Sequence, residues 1–128
     1  MPDIFEIWEQ GKSIAENKYL QSIRYESGIL IIALKGLNED DPVLTITFKD
    51  HFSFKSTNES FRLKSLYQNK FQNGVNYTHD SSYLQWIKEE THGIYNDLNL
   101  THYLICSNDD ITDVISASAP ILNWEPSV

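Results

Sequence analysis

Residues 102–114 read HYLICSNDDITDV, in which two apolar runs are separated by the polar residues Ser-Asn-Asp-Asp. Leu104 and Ile105 lie before the polar residues, and Ile111 and Val114 follow them. Asn and Asp are favoured in tight turns because their side chains bond to nearby backbone and tolerate left-handed geometry. The stretch therefore predicts two strands joined by a polar turn.

A second hairpin is predicted nearer the N-terminus. Residues 20–26 (LQSIRYE) and 29–35 (ILIIALK) flank Ser27-Gly28, a pair of residues suited to a tight turn. ILIIALK is apolar at both of its alternating sets of positions, so both of its faces should be covered. We expect this stretch to be a central strand.

Residues 43–55 (VLTITFKDHFSFK) alternate between apolar and polar side chains over most of their length. One face of such a strand would carry Leu44, Ile46, Phe48, Phe52 and Phe54. Asp50 falls in the same apolar register. A bulge at residues 49–51 that turns Asp50 outward is favoured over a buried carboxylate, because burying an unpaired charge costs several kcal/mol.

Residues 81–93 (SSYLQWIKEETHG) predict a helix. Ser82 and Gln85 stand at capping-box spacing, and Gly93 suits the left-handed residue that follows many helices. Residues 56–59 (Ser-Thr-Asn-Glu) also have the form of a capping box. They predict either a short helix through Leu66 or a continuing strand.

The rest of the chain is less regular. Residues 3–20 fit a helix interrupted at Gly11 or a strand followed by a helix, and the polar residues 69–80 predict a loop. No repeat or linker divides the chain. We therefore expect a single α+β domain over residues 1–128, with an antiparallel β-sheet and one or two packed helices.

The charge of the chain is negative and unevenly distributed. The formal net charge is −8, and residues 65–128 carry eight acids against only Lys70 and Lys88. An acidic surface repels phosphate backbones, which disfavours direct binding of nucleic acid. Such a surface could instead attract a basic protein partner, although acidity also serves solubility.

Residues capable of metal or thiol chemistry are scattered. A calcium loop needs a Gly and a terminal Glu, both of which are missing from residues 107–113. The four histidines are dispersed, and only His102 lies close to the single cysteine, Cys106. Cys106 falls in an apolar run of an acidic region, where a buried and unreactive thiol is expected. We expect no catalytic residue, no metal and no cofactor.

Composition also bears on the compartment. One cysteine cannot form an internal disulfide, which points to the reducing cytoplasm. The longest apolar run, residues 29–34, is far below the roughly 18 residues of a membrane helix, so no membrane association is expected. Trp86 and Trp124 are expected in the core, with a role as interface anchors as the alternative.

Two long stretches together resemble a known class of proteins. They are VLTITFKDHFSFKSTNESFR (residues 43–62), followed later by a helix, and HYLICSNDDITDVISASAPIL (residues 102–122). The pattern is similar to small bacterial immunity proteins of contact-dependent growth inhibition and related polymorphic toxin systems, over roughly residues 42–66 and 82–122. The resemblance implies a cytoplasmic protein without chemistry that binds and blocks a cognate toxin domain, in many cases a nuclease.

An acidic surface would complement the basic substrate cleft of such a nuclease. We therefore expect the partner to be bound by acids of the second half of the chain: Glu89, Glu90, Asp97, Asp109, Asp110 and Asp113. The alternative function is a small enzyme or ligand-binding domain that uses the region of His51.

Overall fold

The computed structural model describes residues 3–12, 14–68, 71–95 and 97–126. Within these residues the chain is mainly β, with 52% of it in strands and two α-helices, so the predicted α+β class is confirmed. The strands are β1 Glu6–Lys12, β2 Tyr19–Glu26, β3 Ile29–Lys35, β4 Val43–Phe48, β5 His51–Asn58, β6 Gly74–Thr78, β7 Thr101–Ser107, β8 Asp110–Ser116 and β9 Ile121–Glu125. The helices are a 3₁₀ helix at Glu59–Phe61, α1 at Leu63–Gln68 and α2 at Ser82–Glu90.

The strands form two antiparallel sheets rather than one. The order of the first sheet is β1-β6-β7-β8-β5, and that of the second is β2-β3-β4-β9. The sheets face each other across a shared core to which β3, β4, β6, β7 and β8 all contribute. The helices lie on the other face of the five-stranded sheet, where Tyr83 and Leu84 of α2 pack on Ile115. The result is three layers, with the five-stranded sheet in the middle.

The chain passes from one sheet to the other at Lys49-Asp50. β4 ends at Phe48 in the four-stranded sheet, and β5 begins at His51 in the five-stranded sheet. Asp50 is exposed, as expected, but it lies at a corner between two strands and not on a bulge within one strand. Its backbone carbonyl accepts hydrogen bonds from the backbone N–H of Ala117, at 3.0 Å, and the hydroxyl of Ser116, at 3.2 Å.

Because of this corner, the prediction of one apolar face from Leu44 to Phe54 is wrong in its second half. Phe48 is buried with Leu44 and Ile46, but Phe52 and Phe54 are 56% and 37% exposed. The alternating pattern of residues 43–55 predicts one continuous strand, whereas β4 and β5 belong to different sheets and their side chains have different surroundings. Phe52 and Phe54 are therefore surface residues.

Both predicted hairpins are confirmed. β2 and β3 are joined by Ser27 and Gly28, whose φ angles are 51° and 81°. Positive φ at both central residues is typical of the type I′ turn, which is favoured in tight hairpins. β3 lies between β2 and β4, as expected of a central strand. In the other hairpin Ser107 pairs with Asp110, and Asp109 takes the left-handed conformation.

One local prediction is wrong, and two that left alternatives open are decided, each with a strand present. The predicted loop over residues 69–80 contains β6, in which the buried Asn76 makes hydrogen bonds with the backbone of Gln72; residues 69 and 70 of that loop lie outside the described part. The residues that precede β2 form β1 and a turn rather than a helix. Residues 56–58 continue as strand, and Asn58 caps the 3₁₀ helix.

The predicted helix is present, with its start moved by one residue. Ser81, not Ser82, is the N-cap, because its side chain accepts a hydrogen bond from the backbone N–H of Leu84. Gly93 has a φ of 74°, and its N–H bonds to the carbonyl of Lys88, which completes the predicted C-terminal end. No helix in the described ranges is long and apolar enough to cross a membrane.

Candidate functional site

A buried network of four polar side chains lies between the five-stranded sheet and the helices. Asp113 Oδ2 accepts a hydrogen bond from Arg62 Nη1 at 2.7 Å, and Asp113 Oδ1 lies 2.7 Å from His102 Nε2. His102 Nδ1 in turn lies 2.8 Å from the hydroxyl of Ser81, the N-cap of α2. The network connects the 3₁₀ helix, β8, β7 and α2.

Strand register explains why the histidine and the aspartate meet. Leu104 pairs with Asp113 and His102 pairs with Ile115 across β7 and β8. His102 and Asp113 are therefore diagonal neighbours on the same face, within reach of a long side chain. That face is covered by α2 and by Phe5, whose ring meets the His102 ring edge-on at 5.0 Å.

Asp113 is predicted to lie on the acidic surface, and this prediction is wrong. It is fully buried, with 0% of its surface exposed. Burial raises the pKa of Asp113, but hydrogen bonds from His102 and Arg62, together with the Arg62 charge, outweigh burial and lower that pKa below its ordinary value. The carboxylate is therefore charged, paired and unable to meet a partner.

The combination of Ser81, His102 and Asp113 contains the residue types of a hydrolytic triad. The Ser81 hydroxyl, however, is held as a helix cap, because it accepts the N–H of Leu84 in addition to its hydrogen bond with His102 Nδ1. Ser81 is buried and is not among the described residues that line the adjacent cavity. We interpret the network as framework that joins α2 and the 3₁₀ helix to the sheet.

The prediction for the cysteine is confirmed, and the prediction for the two tryptophans is wrong. Cys106 is buried on β7, as predicted, and burial raises the pKa of its thiol. Trp86 and Trp124 are half exposed, so the expectation that they pack in the core is wrong. The Trp86 ring lies 6.1 Å from the Tyr83 ring and is tilted by 31° to it, and the Trp124 ring lies 5.1 Å from the ammonium of Lys18.

Cys106 should react slowly with a thiol reagent in the native protein and stoichiometrically after unfolding. A buried, protonated thiol is neither accessible nor nucleophilic. Titration of the native and the urea-unfolded protein with a chromogenic disulfide measures both rates. Rapid stoichiometric labelling of the native protein would contradict the buried position.

His51, the centre of the alternative function, lies at the corner between the sheets. Its ring meets the Tyr25 ring at 4.8 Å and the Phe54 ring at 6.0 Å. Burial lowers its pKa, and a hydrogen bond to the backbone of Gly28 opposes that change. In residues 3–12, 14–68, 71–95 and 97–126 no group of three His, Cys, Asp or Glu side chains could hold a metal ion.

The other predicted acids form two separate groups. Glu89, Glu90 and Asp97 are exposed near the C-terminal end of α2 and in the segment that leads into Thr101. Asp109 and Asp110 lie at the β7–β8 turn, beyond the other end of β7. A strand of seven residues spans about 20 Å, so the structure does not join the two groups into one patch.

An apolar groove that was not predicted from the sequence lies in the same region as the first acidic group. The groove has a volume of about 330 Å³ and is lined by Phe52, Ile87, Lys88, Thr91, Tyr95, Leu98 and Leu100. In the sequence, Glu89 and Glu90 lie between the lining residues Lys88 and Thr91, and Asp97 directly precedes Leu98; the three acids are exposed neighbours of lining residues and do not line the groove themselves. We call this surface the acidic-rimmed groove. Its apolar residues come from three separate segments of the chain, so no periodic pattern within one segment could predict the groove.

A second cavity, of about 300 Å³, opens beside the buried network and has a different character. Its polar lining includes three cations, Lys55, Arg62 and Lys64, and also Asp3 and Ser82. We call it the basic pocket. His102 and Asp113 also line it.

Comparison with family models, with curated proteins and with solved structures gives no match for this chain.

Proposed function

We propose that this chain is an immunity protein, a cytoplasmic inhibitor that binds and neutralises a cognate toxin domain with nuclease activity. The observation that carries the proposal is the acidic-rimmed groove. Apolar surface exposed beside charged residues is typical of protein–protein contact sites, where a few apolar anchors supply most of the binding energy. The groove would receive an apolar side chain of the toxin.

The charge of the rim supports a basic partner. Glu89, Glu90 and Asp97 are exposed and next in sequence to lining residues, and they outnumber Lys88, the one charged residue in the lining itself. Nucleases bind phosphate backbones through basic clefts, so an acidic rim is attracted to the same surface that would otherwise bind substrate. Occupation of that cleft inhibits the toxin without any reaction.

The exposed aromatic residues near the groove support the same interpretation. Phe52 and Tyr95 line it with more than half of their surface exposed, and Trp86, which is half exposed, directly precedes the lining residue Ile87 in α2. Aromatic residues are enriched among the anchors of protein interfaces. Trp86 thus remains a candidate anchor, as in the alternative stated for it above.

Co-expression tests the proposal. A toxin domain encoded beside the gene for this chain should arrest growth when produced alone, and production of this chain should restore growth. The purified pair should form a stable complex, and the toxin's nuclease activity should fall at equimolar inhibitor. If no toxin is encoded there, or if growth stays arrested while both proteins are soluble, the proposal fails.

The second acidic group should act on the rate of encounter with the toxin. Asp109 is exposed and Asp110 is half-buried. Replacing both by Asn should slow association and flatten its salt dependence, because charges near the surface steer diffusion more than they hold a complex. Asn tolerates the left-handed backbone of Asp109, so the free energy of unfolding should change by no more than about 0.5 kcal/mol.

Stopped-flow association at several salt concentrations measures this effect. The matched control is Glu26→Gln with Asp40→Asn, which removes the same charge from two exposed positions outside both acidic groups. Equal slowing by the control pair would show that net charge alone is responsible. An unchanged rate and salt slope for the Asp109 and Asp110 variant would remove this turn from the recognition surface.

A further inference from the structure

The basic pocket is rich in cations, although the protein as a whole is acidic. The chain as a whole has a formal charge of −8, yet three cations line one cavity. Lys55 comes from β5, Arg62 follows the 3₁₀ helix, and Lys64 lies at the start of α1. Convergence of cations from three elements on one cavity concentrates positive potential where low-dielectric walls strengthen it.

Two of the three cations of the pocket are not paired with its acids. Asp113 is engaged by Arg62 and His102, and Lys55 and Lys64 make no salt bridge within the described part of the chain. The Lys55 ammonium rests 4.6 Å from the centre of the Tyr83 ring. Two lysine charges therefore remain available in the cavity, against the single charge of Asp3.

Arg62 is held rigidly at the edge of this cavity. Its Nη1 bonds to Asp113, and its Nε bonds to the hydroxyl of Ser65 at 3.1 Å. These bonds fix the plane of the guanidinium and leave its other N–H groups for a ligand. A planar donor group already fixed in place suits an oxyanion, because little side-chain entropy is lost on binding.

The carboxylate of Asp3 shows which donors in this pocket can bind an anion. Asp3 Oδ1 accepts the backbone N–H of Ser82 at 3.0 Å, and Asp3 Oδ2 accepts the Ser82 hydroxyl at 3.0 Å. Ser82 is the first residue of α2, whose dipole favours negative charge at this end. The protein's own carboxylate thus lies in the pocket, on donors that an external oxyanion could use.

We propose that the basic pocket binds a small molecule bearing an oxyanion group, a phosphate or a carboxylate. Lys55 and Lys64 supply charge, Arg62 supplies oriented N–H donors, and Ser82 supplies a backbone N–H and a hydroxyl when Asp3 moves aside. A volume of about 300 Å³ is at the small end of ligand sites and suits a compact ligand. The site is independent of the toxin-binding surface proposed above.

Titration with inorganic phosphate, followed by ¹H–¹⁵N NMR, tests the proposal. Saturable shifts are expected at the amides of Lys64, Ser65 and Ser82, with sodium chloride at matched ionic strength as the control for screening. Lys64→Gln and Lys55→Gln should each weaken binding about tenfold, the effect of losing one charged hydrogen bond. Lys49→Gln, which removes an exposed lysine outside the pocket, should leave the affinity unchanged.

Asp3→Asn tests whether the internal carboxylate competes with the external oxyanion. Removal of the internal carboxylate charge should tighten phosphate binding by about threefold or more, because the competing anion is gone and the pocket is more positive. Arg62 is not varied, since its loss would remove the salt bridge of the buried Asp113. The proposal is overturned if phosphate and chloride give the same shifts, if Lys49→Gln weakens binding as much as Lys64→Gln, or if Asp3→Asn fails to tighten it.

Discussion

Replacing Asp113 by Ala is expected to lower the free energy of unfolding by about 3–5 kcal/mol, the cost of breaking a buried ion pair by removing one partner. The substitution leaves the buried His102 Nε2 without its acceptor and Arg62 Nη1 without its carboxylate. The exposed acid Asp97 is the matched control, and Asp97→Ala should change the free energy of unfolding by no more than about 0.5 kcal/mol. Urea unfolding of the three proteins measures both differences.

The pH dependence of this effect follows from the lowered pKa of Asp113. A carboxyl group with a lower pKa in the folded state than its ordinary value of 3.8 stabilises the fold fully above that value. Its contribution is lost as the pH falls through the pKa of the folded state. The difference between the wild type and Asp113→Ala should therefore shrink below pH 3.8. A loss of less than about 1 kcal/mol at neutral pH would contradict the structural role of the network.

Replacing Leu98 by Ser should weaken the complex with the toxin by about tenfold or more while leaving the fold intact. Leu98 lines the acidic-rimmed groove and is partly exposed in the free protein, so its loss removes apolar contact chiefly from the complex. Leu37→Ser is the control, because Leu37 is also exposed but lies outside the groove. Titration calorimetry of both variants gives the two affinities, and equal affinities would contradict the assignment of the groove.

Much of the fold could be predicted because its signals are local. The Ser27-Gly28 turn, the Asn-Asp turn after Ser107 and the Gly93 helix end each depend on residues with special backbone preferences. The failures depend on the environment in three dimensions. A corner and a continuing strand have the same alternating pattern, so the transfer from β4 to β5 at Lys49-Asp50 could not be distinguished from a bulge. β6 could not be predicted because its polar Asn76 finds its hydrogen-bond partners, the backbone of Gln72 and Leu104, only in the folded state.

The site was predicted less well, for a reason that the burial of Asp113 illustrates. Asp113 alternates with Ile111 and Ile115, so its position in an apolar register was visible in the sequence. Its partner Arg62 is 51 residues away, and nothing local indicates that the two meet. The acidic-rimmed groove has the same property, because β5, α2 and residues 95–100 contribute to it. The charge distribution of the sequence, by contrast, predicts an acidic surface with Glu89, Glu90 and Asp97, and these three residues are exposed.

Hydrogen–deuterium exchange of the complex with the toxin domain tests the central claim most directly, since it reports both binding and its location. The account predicts that exchange slows in residues 87–95 and 97–100, which contain most of the groove and its acidic rim. The outer face of the four-stranded sheet serves as the internal reference and should exchange as in the free protein. Slowed exchange confined to that outer face, with residues 87–100 unchanged, would contradict the account.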